Sequence, residues 1–356
     1  MEKDIHRIQR QMNTLASRIT ASDLSTEDKG ILADFDRAML LLEGLSLARR
    51  VKLLGLMFAM DRTYFRQGLR NVSISDIKEV VGRLEARHLS PWTTAAYKVT
   101  LRKFFKWLVL GDSETQASEY PDIVRWIRVH VKKKDRPRIQ ASAILTEEEA
   151  HKLIEVADHP RDRAFIAMLY ELGARIGEIG SLKVSDISRD EYSYEIDLSG
   201  KTGHRTPRIV MADPYLTEWL NHHPAANDPS APLWVQIDKR GRGRQMFYPA
   251  LRALVRRLVE KAGIKKRVYP HLFRHSRATH LLAKGLINEA QAKVYFGWTA
   301  DSKMLGEYSH LISRDANDAI LEMHGIRKRE QPLPDPTKTC PRCKRVNAQD
   351  ARFCIQ

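Results

Sequence analysis

One stretch of the chain, from Tyr269 to His310, concentrates residue types that could act on a phosphate ester. His271 and Arg274 are three residues apart, so on a helix they would lie on one face and could serve one target. Trp298 and Tyr308 follow in the same stretch and add an indole N–H and a phenol. Arginine offers phosphate oxygens a planar fork of donors and keeps its charge at any working pH. The set suits a phosphate ester better than it suits a hydrophobic core.

Two further motifs lie upstream of this stretch. Arg175 follows Gly173 at the end of an apolar helix predicted to begin near Asp162. Glu178 lies three residues after Arg175 and is expected to support the site, by orienting the turn and the arginine together. Lys201 lies in a glycine-punctuated turn, SGKTGHR, between two segments of alternating polarity.

The order of these residues resembles the tyrosine recombinase (phage integrase/Xer) family. That family carries an arginine, a hairpin lysine, an HxxR motif, a Gly-His or Gly-Trp pair and a tyrosine in this order. The corresponding segments here extend over roughly Asp36 to Met323, which is most of the chain. An isolated HxxR motif would be weak evidence, whereas the complete ordered set indicates the family.

The resemblance implies that four side chains handle the DNA phosphate. Arg175 and Arg274 would clamp the scissile phosphate, and Trp298 would donate its indole N–H to a phosphate oxygen. His271 would handle the tyrosine proton or support the phosphate. The family more often has histidine where Trp298 lies, so we assign Trp298 to binding rather than to acid-base work. Gly297, which precedes it, is expected to support the site.

The same resemblance makes Tyr308 the nucleophile and Lys201 the acid that protonates the leaving oxygen. The phenolate attacks phosphorus, expels the 5′ hydroxyl and leaves a covalent 3′-phosphotyrosine, and another 5′ hydroxyl reverses the reaction. Tyr295 competes as nucleophile, but its helical spacing indicates a core position. The stripe that includes it consists of Ile287, Ala290, Val294 and Tyr295. The scheme requires no metal ion or other cofactor for catalysis.

Each assignment has a structural alternative. Arg175 could be a buried ion-pair partner of Glu178 rather than a phosphate ligand. His271 could cap a helix, and Trp298 could be an ordinary core residue. The complete set of motif residues favours the functional interpretation.

The charge of the chain indicates a polyanionic partner. Lys and Arg total 60 against 44 Asp and Glu, which gives a net charge of +16 in 356 residues. Each phosphate that such a protein neutralises releases counterions, so double-stranded DNA is the expected partner. No apolar run is long enough to span a bilayer, and the charged N-terminus MEKDIHRIQR does not resemble a secretory signal. We therefore expect a cytoplasmic protein that does not bind membranes.

Basic residues in three places are predicted to contact DNA. They are Lys98, Arg102, Lys106, Lys132, Lys133, Lys134, His204 and Arg205. The first three recur every four residues on one predicted helix, for which a solvated charged face is the common alternative. The next three lie in a basic, proline-interrupted linker. The last two share the turn of Lys201 and could also substitute for it.

Periodicity predicts a mainly α fold with a small antiparallel β-sheet. By resemblance, one helical part is a core-binding (SAM-like) domain, and a catalytic domain of the DNA-breaking-rejoining fold follows it, the two closing as a clamp round duplex DNA. The predicted divisions are an N-terminal helix at 1–24, the core-binding domain at 25–130, a basic linker at 131–144, the catalytic domain at 145–326, a proline-rich spacer at 327–339 and a tail at 340–356.

Local signals predict several element ends. Ser25 and Ser75 are expected to cap helices, and Thr146 with Glu149 is expected to form a capping box. The alternation from Tyr192 to Leu198 predicts one strand, with Arg208 to Met211 as its partner and Lys201 at the hairpin tip. An apolar stripe from Ile5 to Ile19 predicts a further helix, which could self-associate or, as we favour, dock on its own domain.

All three cysteines lie at or after position 340, which excludes a disulfide-stapled secreted fold. Cys340, Cys343 and Cys354 resemble part of a small zinc ribbon. Structural zinc sites take four ligands, so three cysteines are incomplete. Either the chain is cut inside this module, or the site is unformed here; zinc binding is expected for an intact parent protein rather than for this chain.

The predicted function is site-specific recombination of DNA, with assembly of a tetramer on DNA implied by the family. The N-terminal helix and the tail favour integration and excision of a mobile element, and the chain resembles an archaeal or mobile-element integrase with a C-terminal zinc-ribbon-like tail. Xer-type resolution of chromosome or plasmid dimers is the alternative within this enzyme class. A type IB topoisomerase would share the chemistry without strand exchange, and a non-catalytic DNA-binding protein would keep only the fold.

Overall fold

The computed structural model describes residues 4–114, 119–131, 140–200, 203–239, 241–299, 301–302, 306, 321, 323–324, 326, 337–341, 346–348, 351 and 354. The described part is mainly helical with small antiparallel sheets, which confirms the predicted fold class. The chain divides into two compact units. We call residues 7–137 the helical unit and residues 1–6 with 138–356 the C-terminal unit.

The helical unit contains α1 (Ile8–Thr20), α2 (Thr26–Leu41), α3 (Leu47–Tyr64), α4 (Ile74–Ala86), α5 (Pro91–Glu114) and α6 (Asp122–Arg125). Their apolar faces meet in one core, in which the rings of Phe35, Phe104 and Phe105 pack edge to face. Edge-to-face packing is a favoured aromatic geometry because it pairs the positive rim of one ring with the negative face of another. α1 packs against α3 and buries its apolar stripe in this core.

Side-chain caps fix where two of these helices begin. Ser25 accepts the backbone N–H of Asp28, as predicted, at the start of α2. The predicted cap at Ser75 is wrong: Ser73 caps α4, and the carboxylate of Asp76 accepts the N–H of Ser73 in return. The two candidate serines are two residues apart, and only Ser73 has an acidic residue three positions later to complete the capping box.

One carboxylate in the helical unit is buried without hydrogen-bond partners for its oxygens among the described residues. Asp61 of α3 is 1% exposed, and neither of its oxygens has a hydrogen-bond partner within the described part of the chain. Burial, together with the charge of Asp28, raises the pKa of Asp61 to about 7. An ionised carboxylate without partners is costly in a low-dielectric interior, so this group favours its neutral form.

The C-terminal unit contains the helices α7 (Glu147–Glu155), α8 (Pro160–Leu172), α9 (Ile176–Gly180), α10 (Asp213–His222), α11 (Tyr248–Lys261), α12 (Pro270–Ala283) and α13 (Glu289–Phe296). Its strands are β1 (Ile187–Arg189), β2 (Tyr194–Ile196), β3 (Leu198–Gly200), β4 (Gly203–Arg205), β5 (Arg208–Ile209), β6 (Thr337–Thr339) and β7 (Val346–Ala348). The predicted capping box of Thr146 and Glu149 is confirmed at the start of α7.

The helix α8 is the centre of this unit. It packs against α7, α10 and α12, and nearly every residue along it is buried, as expected for a helix covered on all sides. It ends at Gly173, whose φ of 51° is the left-handed conformation that glycine adopts most readily. This turn delivers the chain directly to Arg175, the N-cap of α9.

The sheets differ from the single hairpin that alternation predicts. The predicted strand from Tyr192 to Leu198 is two strands: β2 lies between β1 and β5, whereas β3 pairs with β4. The break falls at Asp197, between the end of β2 and the start of β3; its N–H donates to the carbonyl of Asp186, one pair beyond the last assigned pair of β1 and β2. Periodicity could not show this break because Ile196 and Leu198 are both buried, as in one continuous strand.

Residues at the N-terminus belong to the C-terminal unit. Ile5 is 1% exposed, and its carbonyl accepts the N–H of Tyr248 at 3.0 Å. A Cβ at Gly180 would lie 2.7 Å from Ile5 Cδ1, so the absence of a side chain there makes room for Ile5. The ring of His6 lies 4.7 Å from that of Tyr248. These contacts attach residues 4–6 to α9 and α11.

No helix among the described residues combines the length and apolarity needed to cross a membrane.

Candidate functional site

Arg274 lies at the meeting point of two helix ends. It projects from α12 and is 1% exposed. Its Nη1 donates to the carbonyl of Gly173 at 3.1 Å, and its Nη2 donates to the carbonyl of Phe296 at 2.6 Å. These carbonyls close the C-terminal ends of α8 and α13, where the helix dipole is negative. The two helices therefore fix the guanidinium in place and offset part of its desolvation.

Aromatic rings line the same guanidinium. Its carbon lies 5.5 Å from the ring centre of Phe296 and 5.9 Å from that of Trp298. The two rings stack on each other, with centres 5.2 Å apart and an interplanar angle of 25°. Trp298 is 9% exposed, so it contributes to a small core and also contacts Arg274. The environment of Trp298 is thus compatible both with the predicted role in binding and with the alternative of a core residue.

His271 lies one turn before Arg274 on α12, as the HxxR spacing predicts. Its ring packs perpendicular to that of His275, with centres 4.6 Å apart. Partial desolvation, and then the charges of Arg274 and Arg175, lower the pKa of His271 below its ordinary value of 6.5. A neutral imidazole can accept a proton near pH 7. His271 and Arg274 lie on the same helix, and Arg274 binds the carbonyl of Gly173, two residues before Arg175, so the HxxR helix and the Arg175 turn meet here.

Glu178 fixes Arg175 in two ways. Its Oε2 accepts the backbone N–H of Arg175 at 3.0 Å, and its Oε1 accepts a hydrogen bond from Nη1 of Arg175 at 2.8 Å. Glu178 therefore orients both the turn and the arginine. The side chain of Arg175 remains 35% exposed while that of Glu178 is buried. Arg175 is thus an ion-pair partner that still reaches solvent.

Arg205 also converges on Glu178. Its Nη2 donates to Glu178 Oε2 at 2.8 Å, its Nε donates to the carbonyl of Tyr295 at 3.0 Å, and its side chain is 8% exposed. Burial raises the pKa of Glu178, but the hydrogen bond and charge of Arg205, and then the two hydrogen bonds from Arg175, outweigh this effect, so the net pKa is below its ordinary value. Arg205 was predicted to contact DNA; the structure places its guanidinium inside the protein.

The hairpin of β3 and β4 carries the remaining candidates of the upstream motif. Gly200 pairs with Gly203 at the ends of the two strands, and Lys201 lies between them in the sequence, outside the described residues. His204 is exposed and pairs with Asp197 at 2.7 Å. The nucleophile candidate, Tyr308, also lies outside the described residues.

Tyr295, the rival nucleophile, is held in a structural contact. Its hydroxyl donates to the carbonyl of Glu171 at 2.8 Å, and burial raises its pKa above the ordinary value of 10.0. Both effects disfavour the phenolate. The predicted core stripe is wrong at two positions, because Ala290 and Val294 are exposed and the buried residues of α13 are Ala292 and Phe296.

Sequence reasoning did not identify the backbone groups of this site. The carbonyls of Gly173 and Phe296 hold Arg274, although neither residue has a polar side chain. Gly173, two residues before Arg175, and Gly297, directly before Trp298, are the available signals. Both have left-handed φ values, 51° and 59°, that end a helix beside a motif residue.

The basic row on α5 lies in the helical unit. The row contains no acidic residue, but Nζ of Lys98 pairs with Glu85 of the neighbouring helix α4 at 2.5 Å. The guanidinium of Arg102 lies 3.8 Å from the ring centre of Tyr120, and Nζ of Lys106 lies 5.0 Å from it. Arg102, Lys106 and Tyr120 line a pocket of about 340 Å³. The linker residues Lys132, Lys133 and Lys134 lie outside the described residues.

The described residues of the tail include two of its three cysteines. Cys340 and Cys354 are half-buried, and Cys343 lies outside the described residues. Within the described ranges, no three His, Cys, Asp or Glu side chains gather as metal ligands would. The three cysteines of the sequence are one short of the four donors of a structural zinc site.

The chain is similar in sequence to known proteins. The Phage integrase family profile matches residues 143–314. Tyrosine recombinase XerA from Pyrococcus furiosus is 37% identical over 145 residues, which cover 40% of this chain and about half, 49%, of the relative. A tyrosine recombinase from Pseudothermotoga lettingae is 30% identical over 255 residues, which cover 71% of this chain and 82% of the relative.

A solved structure agrees at the level of the fold. XerH site-specific recombinase, bound to palindromic difH substrate in a post-cleavage complex, has a TM-score of 0.59 at 18% sequence identity. The match covers 91% of this chain and 98% of that one. The chain belongs to the tyrosine recombinase (phage integrase) family, a class of DNA-cleaving and rejoining enzymes.

Proposed function

We propose that this chain cleaves and rejoins double-stranded DNA at specific sites through a covalent 3′-phosphotyrosine. The observation that carries the proposal is that Arg274 joins segments far apart in the sequence. It binds the carbonyl of Gly173, two residues before Arg175. Its guanidinium carbon lies 5.9 Å from the ring centre of Trp298, and His271 lies one turn away on the same helix. These residues fall within residues 143–314, which the Phage integrase family profile matches.

The arginines and the indole would hold the scissile phosphate. Arg175 reaches solvent while Glu178 fixes its orientation, so its outward donors suit a phosphate oxygen. Arg274 supplies a positive charge of low solvent exposure, which acts more strongly on an anion than an exposed charge would. Trp298 adds a hydrogen-bond donor. Together these groups would stabilise the extra negative charge on the non-bridging oxygens in the transition state.

His271 and Lys201 would move the protons. His271, neutral near pH 7, accepts the proton of the Tyr308 hydroxyl as the phenolic oxygen bonds to phosphorus. The bond from phosphorus to the 5′ oxygen breaks, and Lys201 gives that oxygen a proton. Attack by a 5′ hydroxyl on the phosphotyrosine reverses each step, so the phosphodiester energy is conserved without a co-reactant.

The proposed partners are double-stranded DNA and further copies of the chain. Lys98, Arg102 and Lys106 would contact phosphates, although Lys98 would have to exchange its ion pair with Glu85 for that contact. Exchange of two duplexes requires four strand cleavages, so we propose a tetramer in the complex that carries out recombination.

A suicide substrate tests the proposed chemistry. A nick placed just downstream of the scissile phosphate lets a short oligonucleotide diffuse away, which traps the covalent adduct on a denaturing gel. We expect the adduct with the parent chain and none with Tyr308→Phe. Tyr295→Phe is the matched control and should keep the adduct. An adduct that survives Tyr308→Phe and disappears in Tyr295→Phe would contradict the assignment.

For the biological role, we propose integration and excision of a mobile element. The N-terminal helix and the tail beyond the matched residues 143–314 support this role. Xer-type dimer resolution is the second candidate, supported by the similarity to a relative named XerA. Two plasmid substrates would separate the roles. One carries the two repeats that flank the coding region, and the other carries two copies of a chromosomal palindrome. Recombination of the first plasmid alone supports integration.

Zinc binding is proposed only for a tail that supplies a fourth ligand to Cys340, Cys343 and Cys354. We expect the purified chain to hold less than one equivalent of zinc. Elemental analysis of the purified chain tests this, and one firmly bound equivalent would contradict it.

A further inference from the structure

Arg205 connects three segments that carry motif residues. It belongs to β4, the returning strand of the hairpin that follows Lys201. Its Nη2 contacts Glu178, the residue that orients Arg175, and its Nε contacts the carbonyl of Tyr295 near the end of α13. One side chain therefore contacts α9 and α13 from the hairpin.

Two positions beside these contacts have no room for a side chain and are occupied by glycine. A Cβ at Gly297 would lie 2.7 Å from Nη1 of Arg205, a separation too short for a real contact. A Cβ at Gly200 would collide with Oε1 of Glu178 and would lie 3.0 Å from its carboxyl carbon. Gly200 ends β3 directly before Lys201, and Gly297 directly precedes Trp298. The missing side chains permit close packing of the hairpin, Glu178 and the turn before Trp298.

The placement of Arg205 does not suit a DNA contact. Its side chain is 8% exposed, and two of its nitrogens donate to groups within the protein. A phosphate contact would require it to leave a buried carboxylate, Glu178, which would lose a charge-assisted hydrogen bond in a low-dielectric site.

We infer that Arg205 is a positioning residue, which locks the Lys201 hairpin to Glu178 and to the Gly297 turn so that acid and phosphate ligands keep their geometry. The inference rests on the proposed function, because it acts through the proposed acid, Lys201. Small displacements of a catalytic group can lower a rate by about 100-fold. Loss of Arg205 should therefore reduce cleavage far more than DNA binding.

The test compares single-turnover adduct formation on two suicide substrates, one with the ordinary 5′ oxygen at the scissile linkage and one with sulfur in its place. A thiolate leaves with little help from a general acid, so the sulfur substrate bypasses Lys201. With Arg205→Ala we expect cleavage of the oxygen substrate to fall about 10- to 100-fold, with most of the loss recovered on the sulfur substrate. DNA affinity should change less than about threefold.

Three further variants make the result interpretable. Arg208→Ala is the matched arginine control, because Arg208 pairs with Asp190, which follows β1, and with Glu195 of the neighbouring strand β2; it should leave both rates unchanged. Arg205→Lys should recover part of the activity and guards against a variant that fails to fold. Lys201→Ala tests the acid itself: if sulfur rescues Lys201→Ala but not Arg205→Ala, the inference is overturned while the proposed function stands.

Hydrogen exchange provides a readout that is independent of Lys201. Arg205→Ala should accelerate amide exchange in residues 198–200, 203–205 and 295–299, and Arg205→Lys should restore part of the protection. If sulfur does not rescue Lys201→Ala, the acid assignment fails and this exchange pattern decides the question. Unchanged exchange, or a loss of DNA affinity with a weaker salt dependence, would assign Arg205 to DNA contact instead.

Discussion

Arg274 shows how a charge can be kept inside this protein. Its two terminal nitrogens donate to carbonyls at the ends of α8 and α13, and two aromatic rings line its face. Helix C-termini and ring faces attract a cation without neutralising its charge. The guanidinium is therefore held before a phosphate arrives, which avoids the cost of reorganising it during the reaction.

His271 provides the pH-dependent step at the residue scale. Its pKa lies below 6.5, so a rate that needs the neutral imidazole should rise as pH increases and reach a plateau near neutrality. We expect adduct formation at subsaturating DNA to rise as the pH increases through the acidic range below 6.5 and to change little above it. His271→Gln should remove this pH dependence and lower the rate of adduct formation near neutral pH by about 100-fold or more. A rate that falls through the same range would instead indicate that the protonated imidazole supports the phosphate.

At the scale of elements, local signals predicted helices better than they predicted contacts. Ser25 and Thr146 are confirmed caps because a cap depends only on residues within one turn. The HxxR helix is confirmed for the same reason, since its spacing places both residues on α12. The sequence could not show that Arg205 turns inward, because its partners, Glu178 and the carbonyl of Tyr295, are distant along the chain.

The sheet and α13 were harder to predict for related reasons. The short strand β1 has only three residues, too few for an alternating pattern to be recognised. Along α13, exposed Val294 and buried Phe296 show that the buried face is set by packing against α12 and Gly173. An apolar side chain alone does not specify which face of a short helix is covered.

Phe296 tests how α13 supports the site. Its ring is fully buried, stacks on Trp298 and fills the space beside Gly173. Phe296→Ala should destabilise the C-terminal unit by about 3–5 kcal/mol through lost contacts and the cavity left behind. Exchange protection of α12 and α13 in the full chain measures this, and Val294→Ala on the same helix is the control, expected within about 0.5 kcal/mol of the parent. Equal effects of the two substitutions would contradict the packing described.

At the scale of the whole molecule, the helical unit should become less stable as pH rises. The pKa of Asp61 is about 7 in the folded state, against an ordinary value of 3.8. Between these values the folded state holds a proton that the unfolded state lacks, so raising the pH favours unfolding. Amide exchange in α2 and α3 of the full chain should therefore accelerate from about pH 4 to about pH 7 beyond the intrinsic pH effect.

Asp61→Asn should remove that dependence and stabilise the helical unit at pH 8 by about 1–3 kcal/mol, because it removes a buried charge that has no partner. Asp34→Asn is the control, since Asp34 is exposed and pairs with Arg37 at the surface. A pH dependence that persists in Asp61→Asn would assign it to another group.

The seating of Ile5 beside Gly180 and Tyr248 has a practical consequence for dissecting the protein. Residues 1–6 belong to the C-terminal unit, as do residues 138–356. The chain therefore connects to the C-terminal unit at both ends of the segment 7–137. A protease that cuts once between residues 131 and 140 would leave Ile5, which belongs to the core of the C-terminal unit, on the other polypeptide. Clean separation would also require trimming the first six residues.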